Sequence, residues 1–244
     1  ELVAFEDDDC IAEPDWIEQL VGVFVGDRVG AVTGIVLDPP PRSIWDLALK
    51  GTQRVYGNRH ATRLVLCNLC VRRQFLDGAL DEDRAGPAAD MTVSGRGDEE
   101  GLNILIARQG YERLVAHRAR VLHVHHHSRR SFFKQAYNGG GAAARFEYKY
   151  RLRPRPELLC LSGAYLCLPW MLVTPMAGVA SLACFGLFLG AITYNELWRK
   201  RKSPWETIIT WPHMQAYFHT RAWAYFRQHA RLRLRVEHLD RVPR

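Results

Sequence analysis

With 244 residues, the chain is long enough for one large domain, or one domain with an appendage, and for a sizeable buried core. Its 33 basic and 26 acidic residues leave a net charge of +7, which favours polyanionic partners: nucleotide phosphates, nucleic acid or anionic lipid. Six cysteines, scattered or set in apolar sequence, exclude a disulfide scaffold and fit a reducing compartment. Acids concentrate in the first hundred residues, and Arg and Lys dominate from Arg145 onward.

ELVAF is a short apolar run of β-formers that predicts a strand, ended by DDDC. The sequence begins at Glu1 inside that strand, which predicts an upstream part. Pro14 stands near the start of a predicted helix, EPDWIEQLVGVF, whose stripe is Ile17, Leu20, Val21 and Phe24. AVTGIVLDP predicts the next strand, stopped by Pro39, Pro40 and Pro41. Ser43 to Leu76 mixes a helix with NLCVRR, and GALDEDRAGPAADMTVSGRG reads as a long functional or mobile loop. DEEGLNILIARQGY predicts a helix with acids in its first turn and Gly110 as its stop. RVLHVHH predicts a strand, and RRSFFKQAYNGGGAAARFEYKYR a segment helical at both ends, with a flexible middle at its three glycines. This alternation predicts an α/β layer architecture.

Leu158 to Tyr194 contains no charged residue. One continuous helix of that length would run about 56 Å, against a hydrocarbon core of about 30 Å, so the segment must bend or return. Pro169 and Pro175 supply the break. RLRPRPE before it and WRKRK after it both prefer the cytoplasmic side, so a two-crossing hairpin is expected. A soluble core helix pair, or one tilted crossing with a re-entrant arm, are the alternatives. Beyond Lys202, Trp, Tyr and Phe interleave with Arg, predicting an interfacial helix that meets anionic lipid; beside a membrane segment, lipid is favoured over nucleic acid. The expected organisation is a domain over 1–150, a membrane hairpin with basic flanks over 151–202, and a basic aromatic tail over 203–244.

Asp7, Asp8 and Asp9 are three adjacent negative charges that need either solvent or a cation. Residues two apart on an extended strand point the same way, so Asp7 and Asp9 can face one ion. Oxygen ligands there suit Mg²⁺ or Mn²⁺, with positions left for substrate phosphates. A second acidic group, Asp98, Glu99 and Glu100, starts a helix, either as ordinary first-turn acids or with one carboxylate as a general base. Arg72 and Arg73 have the donor geometry for phosphate, or form a solvated pair. His123, His125 and His127 share one face of a strand and could present an imidazole to a metal. Gln135 could hydrogen-bond a sugar or phosphate. Cys67 and Cys70 form a single CxxC, half of a zinc site without a second pair, so they read as two small semi-buried side chains.

FEDDDCIAEPDWIEQLV, AVTGIV, CNLCVRRQFL with ALDED, GDEEGLNILIARQGY and VLHVHHHSRRSFFKQAYNGGG stand in an order that resembles family 2 glycosyltransferases over roughly residues 1 to 150. The hydrophobic pair that follows is similar to the membrane tail of many members. The resemblance implies a partial GT-A-like mixed sheet with flanking helices, followed by a hydrophobic helical hairpin and a basic amphipathic helix. It implies that Asp7 and Asp9 hold Mn²⁺ or Mg²⁺ against the diphosphate of a nucleotide-sugar donor; His123, from its strand face, is the further metal ligand expected. Asn68 and Arg72 match the family's asparagine and arginine after the acceptor-side loop, and Gln135 resembles the glutamine after its last catalytic strand. The catalytic base falls on Asp98 or Glu99, because Gly-Asp-Glu here inverts the family's Gly-Glu-Asp. The Gln-x-x-Arg-Trp signature of processive synthases is absent.

The implied activity is inverting sugar transfer to an acceptor hydroxyl, with a glycan or lipid-linked acceptor and the catalytic portion on the cytoplasmic side of the cell membrane. The family's nucleotide-base site lies upstream of the aspartate motif, so the isolated chain is expected to transfer little. A membrane-attached metal-dependent phosphotransferase or hydrolase, or a non-catalytic membrane scaffold, are the competing readings.

Overall fold

In the computed structural model, residues 1–55, 57–76, 98–150, 156–167, 170 and 174–239 are described. Strand β1 (Leu2–Phe5) is the opening apolar run, and it is followed after four residues by β2 (Cys10–Ala12), too short for its alternation to stand out in the sequence. Helix α1 (Trp16–Val21), strand β3 (Val29–Leu37), helix α2 (Ile44–Leu49) and strand β4 (Leu69–Arg72) come next. Helix α3 (Asp98–Arg108) leads to β5 (Glu112–His123), which begins eight residues before the predicted RVLHVHH strand. The predicted loop from Leu80 to Arg96 lies outside the described residues.

The five strands form one mixed sheet in the order β1-β4-β3-β5-β2. Strand β3 pairs parallel with β5, and the other neighbours are antiparallel. Side chains alternate between two covered faces, as a buried sheet requires. Ala31, Leu69, Val71 and Val115 pack with Phe75, Leu102 and Ile106 on the α3 side; Val32, Cys70, Leu114 and Ala116 pack with Leu20 and Trp16 on the α1 side.

Strands β1 and β2 occupy opposite edges of this sheet. Four strand spacings laid flat would separate them by about 19 Å, whereas the step from Phe5 to Cys10 spans at most about 17 Å fully extended. The sheet must curl. The curl is visible where β5 shifts register against β3: Gly34 pairs with Ala116, but Ile35 pairs with Arg120. Asn68 fills the interruption. It is fully buried; its amide donates to the carbonyls of Ile35 (3.0 Å) and Ala119 (3.1 Å), and its oxygen accepts from Trp16 Nε1 (2.8 Å). Gly34 lies against that amide so closely that a Cβ would come within 2.3 Å of Asn68 Oδ1.

The chain divides into two compact units, the first being Glu1–Phe132 with Leu232–Arg244 and the second Phe133–Arg231. The second holds most of α4 (Arg129–Tyr150), then α5 (Pro156–Cys167), α6 (Pro175–Tyr194) and most of α7 (Pro204–Leu239). Its core joins Ala143, Ala144, Leu161, Phe188, Ile192, Ala222 and Tyr225. Glu147 of α4 accepts from the Tyr225 hydroxyl and lies 3.4 Å from His229 Nε2, a polar tie to α7.

One expectation is corrected here. Helix α4 runs unbroken through Gly139, Gly140 and Gly141, where a flexible middle was predicted. A Cβ on Gly140 would stand 2.0 Å from the Arg221 carbonyl oxygen, so the glycine lets two helix backbones touch. The hairpin has one long arm among the described residues. α6, continued by a π-helical turn (Asn195–Arg199), gives 25 residues long and apolar enough to cross a membrane. Its outward face is apolar: Met176, Val179, Leu182 and Leu187 are each 60% exposed or more. By contrast α5 has 12 residues, about 18 Å, shorter than a hydrocarbon core of about 30 Å. The two helices pack together, with Ser181 Oγ donating to the Ala164 carbonyl at 2.8 Å. Just beyond α6, buried Glu196 is gripped by Lys200 Nζ (2.8 Å) and Lys202 Nζ (2.6 Å). Burial, reinforced by the Lys200 charge, pushes the Lys202 amine down to about 8.

Gly140→Ala should lower the thermal stability of the protein by about 1–3 kcal/mol, the cost of overpacking, although alanine is the better helix former. Gly141, with nothing within 4 Å of its added Cβ, should instead gain up to about 1 kcal/mol on the same substitution. Paired denaturation curves of the two variants check the contrast.

Candidate metal centre

Cys10 and His123 are direct partners across the antiparallel β2–β5 pair, so their side chains share one face. Cys10 and Ala12 point into the sheet's interior beside Val36, Val65, Cys67 and Val121, while Ile11 between them is exposed. The turn before β2 is fixed by its own backbone. The Cys10 N–H donates to Asp7 O (3.1 Å), and the Val124 N–H donates to Asp9 O (2.8 Å).

That turn brings Asp9 over the pair. Asp9 Oδ1 lies 3.3 Å from His123 Nε2, and Oδ2 lies 3.4 Å from His125 Nδ1. The donor atoms of Asp9, Cys10 and His123 all fall within 4.8 Å of one another, in a half-buried cluster able to hold a metal ion. Burial first, then the Asp9 charge, push the Asp7 carboxyl above its ordinary value, with His123 opposing, so Asp7 is electrostatically part of this neighbourhood. Burial also raises the Cys10 thiol to about 11, and it holds Cys67, in hydrogen-bond contact with Cys10, well above the usual thiol range.

The histidine segment is anchored from below. Ser43 caps α2 by accepting from the Asp46 N–H (3.1 Å), and its hydroxyl donates to the His127 carbonyl (3.2 Å). The Asp46 carboxylate accepts from the backbone N–H groups of Arg42 (2.9 Å) and His127, and lies 3.3 Å from His126 Nδ1. Burial alone would raise the Asp46 carboxyl, but these bonds outweigh it and hold it below its ordinary value. His126 thus turns to Asp46, while the rings of His123, His125 and His127 follow one another at 5.8 and 4.6 Å.

The structure brings Asp7, Asp9 and His123 to one place. It does not bring Arg72 there. Arg72 pairs with Leu2 at the far end of β1, where Nε donates to the Val29 carbonyl (2.7 Å) and an Nη to the Gly26 carbonyl (2.9 Å), over the Phe24 ring. Arg73 beside it pairs with Glu1 at 2.8 Å. Asn68 braces the bulge, and Cys67 and Cys70 face different clusters. Gln135 lies on α4 in the second unit. Asp98 and Glu99 open α3, and their side chains lie outside the described residues. Sequence reasoning missed Cys10 as a donor and Asp46 as an anchor; for Cys10 the signal was its place next to Asp9.

The donor set is one oxygen, one sulfur and one nitrogen. Mg²⁺, which demands oxygens in a near-octahedral array, does not fit it; the Asp9 and His123 part fits a first-row ion such as Mn²⁺. Comparison with protein-family models, curated proteins and solved structures finds no match for the chain. The fold and cluster therefore define its class: an α/β protein with a potential metal centre of Asp, Cys and His and, among the described residues, one helix long and apolar enough to span a membrane. Such a set suits a metal-dependent catalytic or structural role.

Asp46→Ala orphans two backbone donors and should cost about 2 kcal/mol or more, measured by denaturant unfolding. The Asp7 shift has the opposite sign. A carboxyl that binds its proton more tightly in the fold is destabilising once ionised, so Asp7→Asn should raise the melting temperature of the metal-stripped protein at pH 7, and the gain should vanish below about pH 4.

Proposed function

We propose that this protein is a membrane-attached, metal-dependent enzyme that transfers a sugar from a nucleotide-activated donor to an acceptor hydroxyl, with inversion. The observation that carries the metal-dependent part is the Asp9, Cys10 and His123 cluster at the end of a curled α/β sheet. The glycosyl part rests on the order of motifs that resembles family 2 glycosyltransferases, with the acidic tripeptide at the sheet's mouth and a long apolar helix after the α/β region.

Asp9 and His123 would hold the ion, with Asp7 beside them. A bound ion supplies Lewis-acid stabilisation of the charge that gathers on a departing diphosphate. Asp98 or Glu99 takes the proton of the acceptor hydroxyl, whose oxygen bonds to the anomeric carbon as the bond to the diphosphate breaks and its electron pair leaves with phosphate. Attack from the face opposite the leaving group inverts the centre. Arg72, committed to backbone carbonyls, braces the β3–β4 end and has no part in donor binding in this scheme. The apolar helix holds the catalytic portion on the cytoplasmic side, and the arginines of α7 meet anionic lipid, which favours a lipid-linked or envelope glycan acceptor.

The mixed donor set favours a second reading. A phosphotransferase or hydrolase needs only an ion and a nearby histidine at a phosphate ester, and the cluster by itself asks for nothing more.

Full-length protein screened against a panel of nucleotide sugars, with chelator and metal-replacement arms, separates the two. Sugar transfer should require both metal and acceptor, and Asp9→Ala should lower turnover by about 100-fold or more. Release of free sugar or phosphate irrespective of acceptor would replace glycosyl transfer by the second reading.

A further inference from the structure

We infer that Cys10 is a metal ligand and that the centre is built for a zinc-class ion, Zn²⁺ or Co²⁺, rather than for the oxygen-seeking Mg²⁺. This rests on reading the cluster as a metal centre, and is independent of which group is transferred.

A tetrahedral ion with bonds of about 2.1 Å to oxygen and nitrogen sets those two atoms about 3.4 Å apart. The 3.3 Å between Asp9 Oδ1 and His123 Nε2 is that spacing. Sulfur at about 2.3 Å from the same ion would lie about 3.6 Å from either atom. Because all donor atoms are within 4.8 Å of one another, Cys10 Sγ has little more than about 1 Å to close. A χ1 adjustment on one side chain covers that distance.

The strand pairing makes the thiol unavoidable. Cys10 is directly opposite His123, and its neighbour Asp9 supplies the carboxylate, so an ion reaching the latter two meets the sulfur as well. As the Sγ–metal bond forms, the thiol proton passes to solvent. Thiolate and imidazole together select Zn²⁺ over Mn²⁺ and Mg²⁺, in line with the general affinity order of first-row ions.

The surroundings match an ion-binding site of this type. His125 Nδ1, 3.4 Å from the second Asp9 oxygen, orients the carboxylate from the outer sphere, and the Cys67 thiol contacts Cys10 while lying 3.1 Å from Gln53 Oε1. Three protein ligands leave a fourth position for water or a substrate oxygen, the pattern of catalytic zinc.

The test is a Co²⁺ titration of the full chain, stripped of metal by chelator and followed by absorption. We expect visible bands of four-coordinate intensity with a near-ultraviolet sulfur-to-cobalt charge-transfer band, displaced by stoichiometric Zn²⁺ and not by excess Mg²⁺. Cys10→Ser should remove the charge-transfer band and weaken Zn²⁺ by at least about 10-fold, the loss that even an outer-sphere change brings. Cys67→Ser should keep the band. Cobalt bound without the band in the native protein, a band lost in the Cys67 variant but kept in the Cys10 variant, or displacement by Mg²⁺ would overturn the inference. The native spectrum decides even if Cys10→Ser does not fold. Absence of cobalt binding removes this inference and the metal centre of the proposed enzyme together, whereas a sulfur-ligated spectrum in a protein that transfers no sugar upholds the inference and removes only the glycosyl reading.

Discussion

Four residues, Glu6 to Asp9, connect strands at opposite edges of a five-stranded sheet. A chain that short cannot cross a flat sheet, so the sheet has to roll until its edges approach, and the link lies across the opening. Rolling costs ladder hydrogen bonds, and the structure shows where. Between Ala116 and Arg120 the β3–β5 register slips, leaving carbonyls that Asn68 accommodates with its side-chain amide. Thr33 joins the same repair by donating to the Asn68 carbonyl at 3.0 Å. Curl, bulge and acidic tripeptide are one solution to one geometric demand.

The same demand assembles the candidate metal centre. A link stretched between edges has little freedom, so Asp9 falls beside the β2–β5 pair and its carboxylate meets His123 and His125. Half-burial keeps the charges from being screened completely while leaving access for a ligand. Asp46, fixed at the start of α2, holds the histidine segment where it leaves β5. The cluster is therefore held at both ends, by the β-link on one side and by a helix cap on the other. Pre-organisation of this type is what makes a metal site selective, because the ligands do not have to be gathered when an ion arrives.

Much of this was legible in the sequence. The apolar run before the acids, the AVTGIVL strand, the acid-led helix and the charge-free stretch carry strong periodic or compositional signals, and each became β1, β3, α3 and α6. Strand β2 was not legible, because three residues show no alternation, and without β2 the pairing of Cys10 with His123 cannot be drawn. The role of Asn68 depends on a register slip that only tertiary structure shows. Gly139 to Gly141 misled for a different reason: local propensity penalises glycine in a helix by about 1 kcal/mol each, but close helix contact at Arg221 overrides it. Arg72 has the donor geometry for phosphate, yet the nearest acceptors at the β3–β4 end are the carbonyls of Val29 and Gly26.

The second unit solves a different problem with similar means. An apolar helix that faces outward needs a partner side to settle its rotation, and α6 finds it in Phe188 and Ile192, which pack against Ala222 and Tyr225 of α7 and Ala144 of α4. Small residues on α4 let that contact be close. Just beyond α6 the chain holds a buried carboxylate between two lysines. A lone Glu196 there would be costly, and two cations against one anion leave a residual positive charge, which together with burial lowers the Lys202 amine to about 8. Because Glu196, Lys200 and Lys202 lie within one short stretch of chain, the paired charges close the end of α6 as a unit.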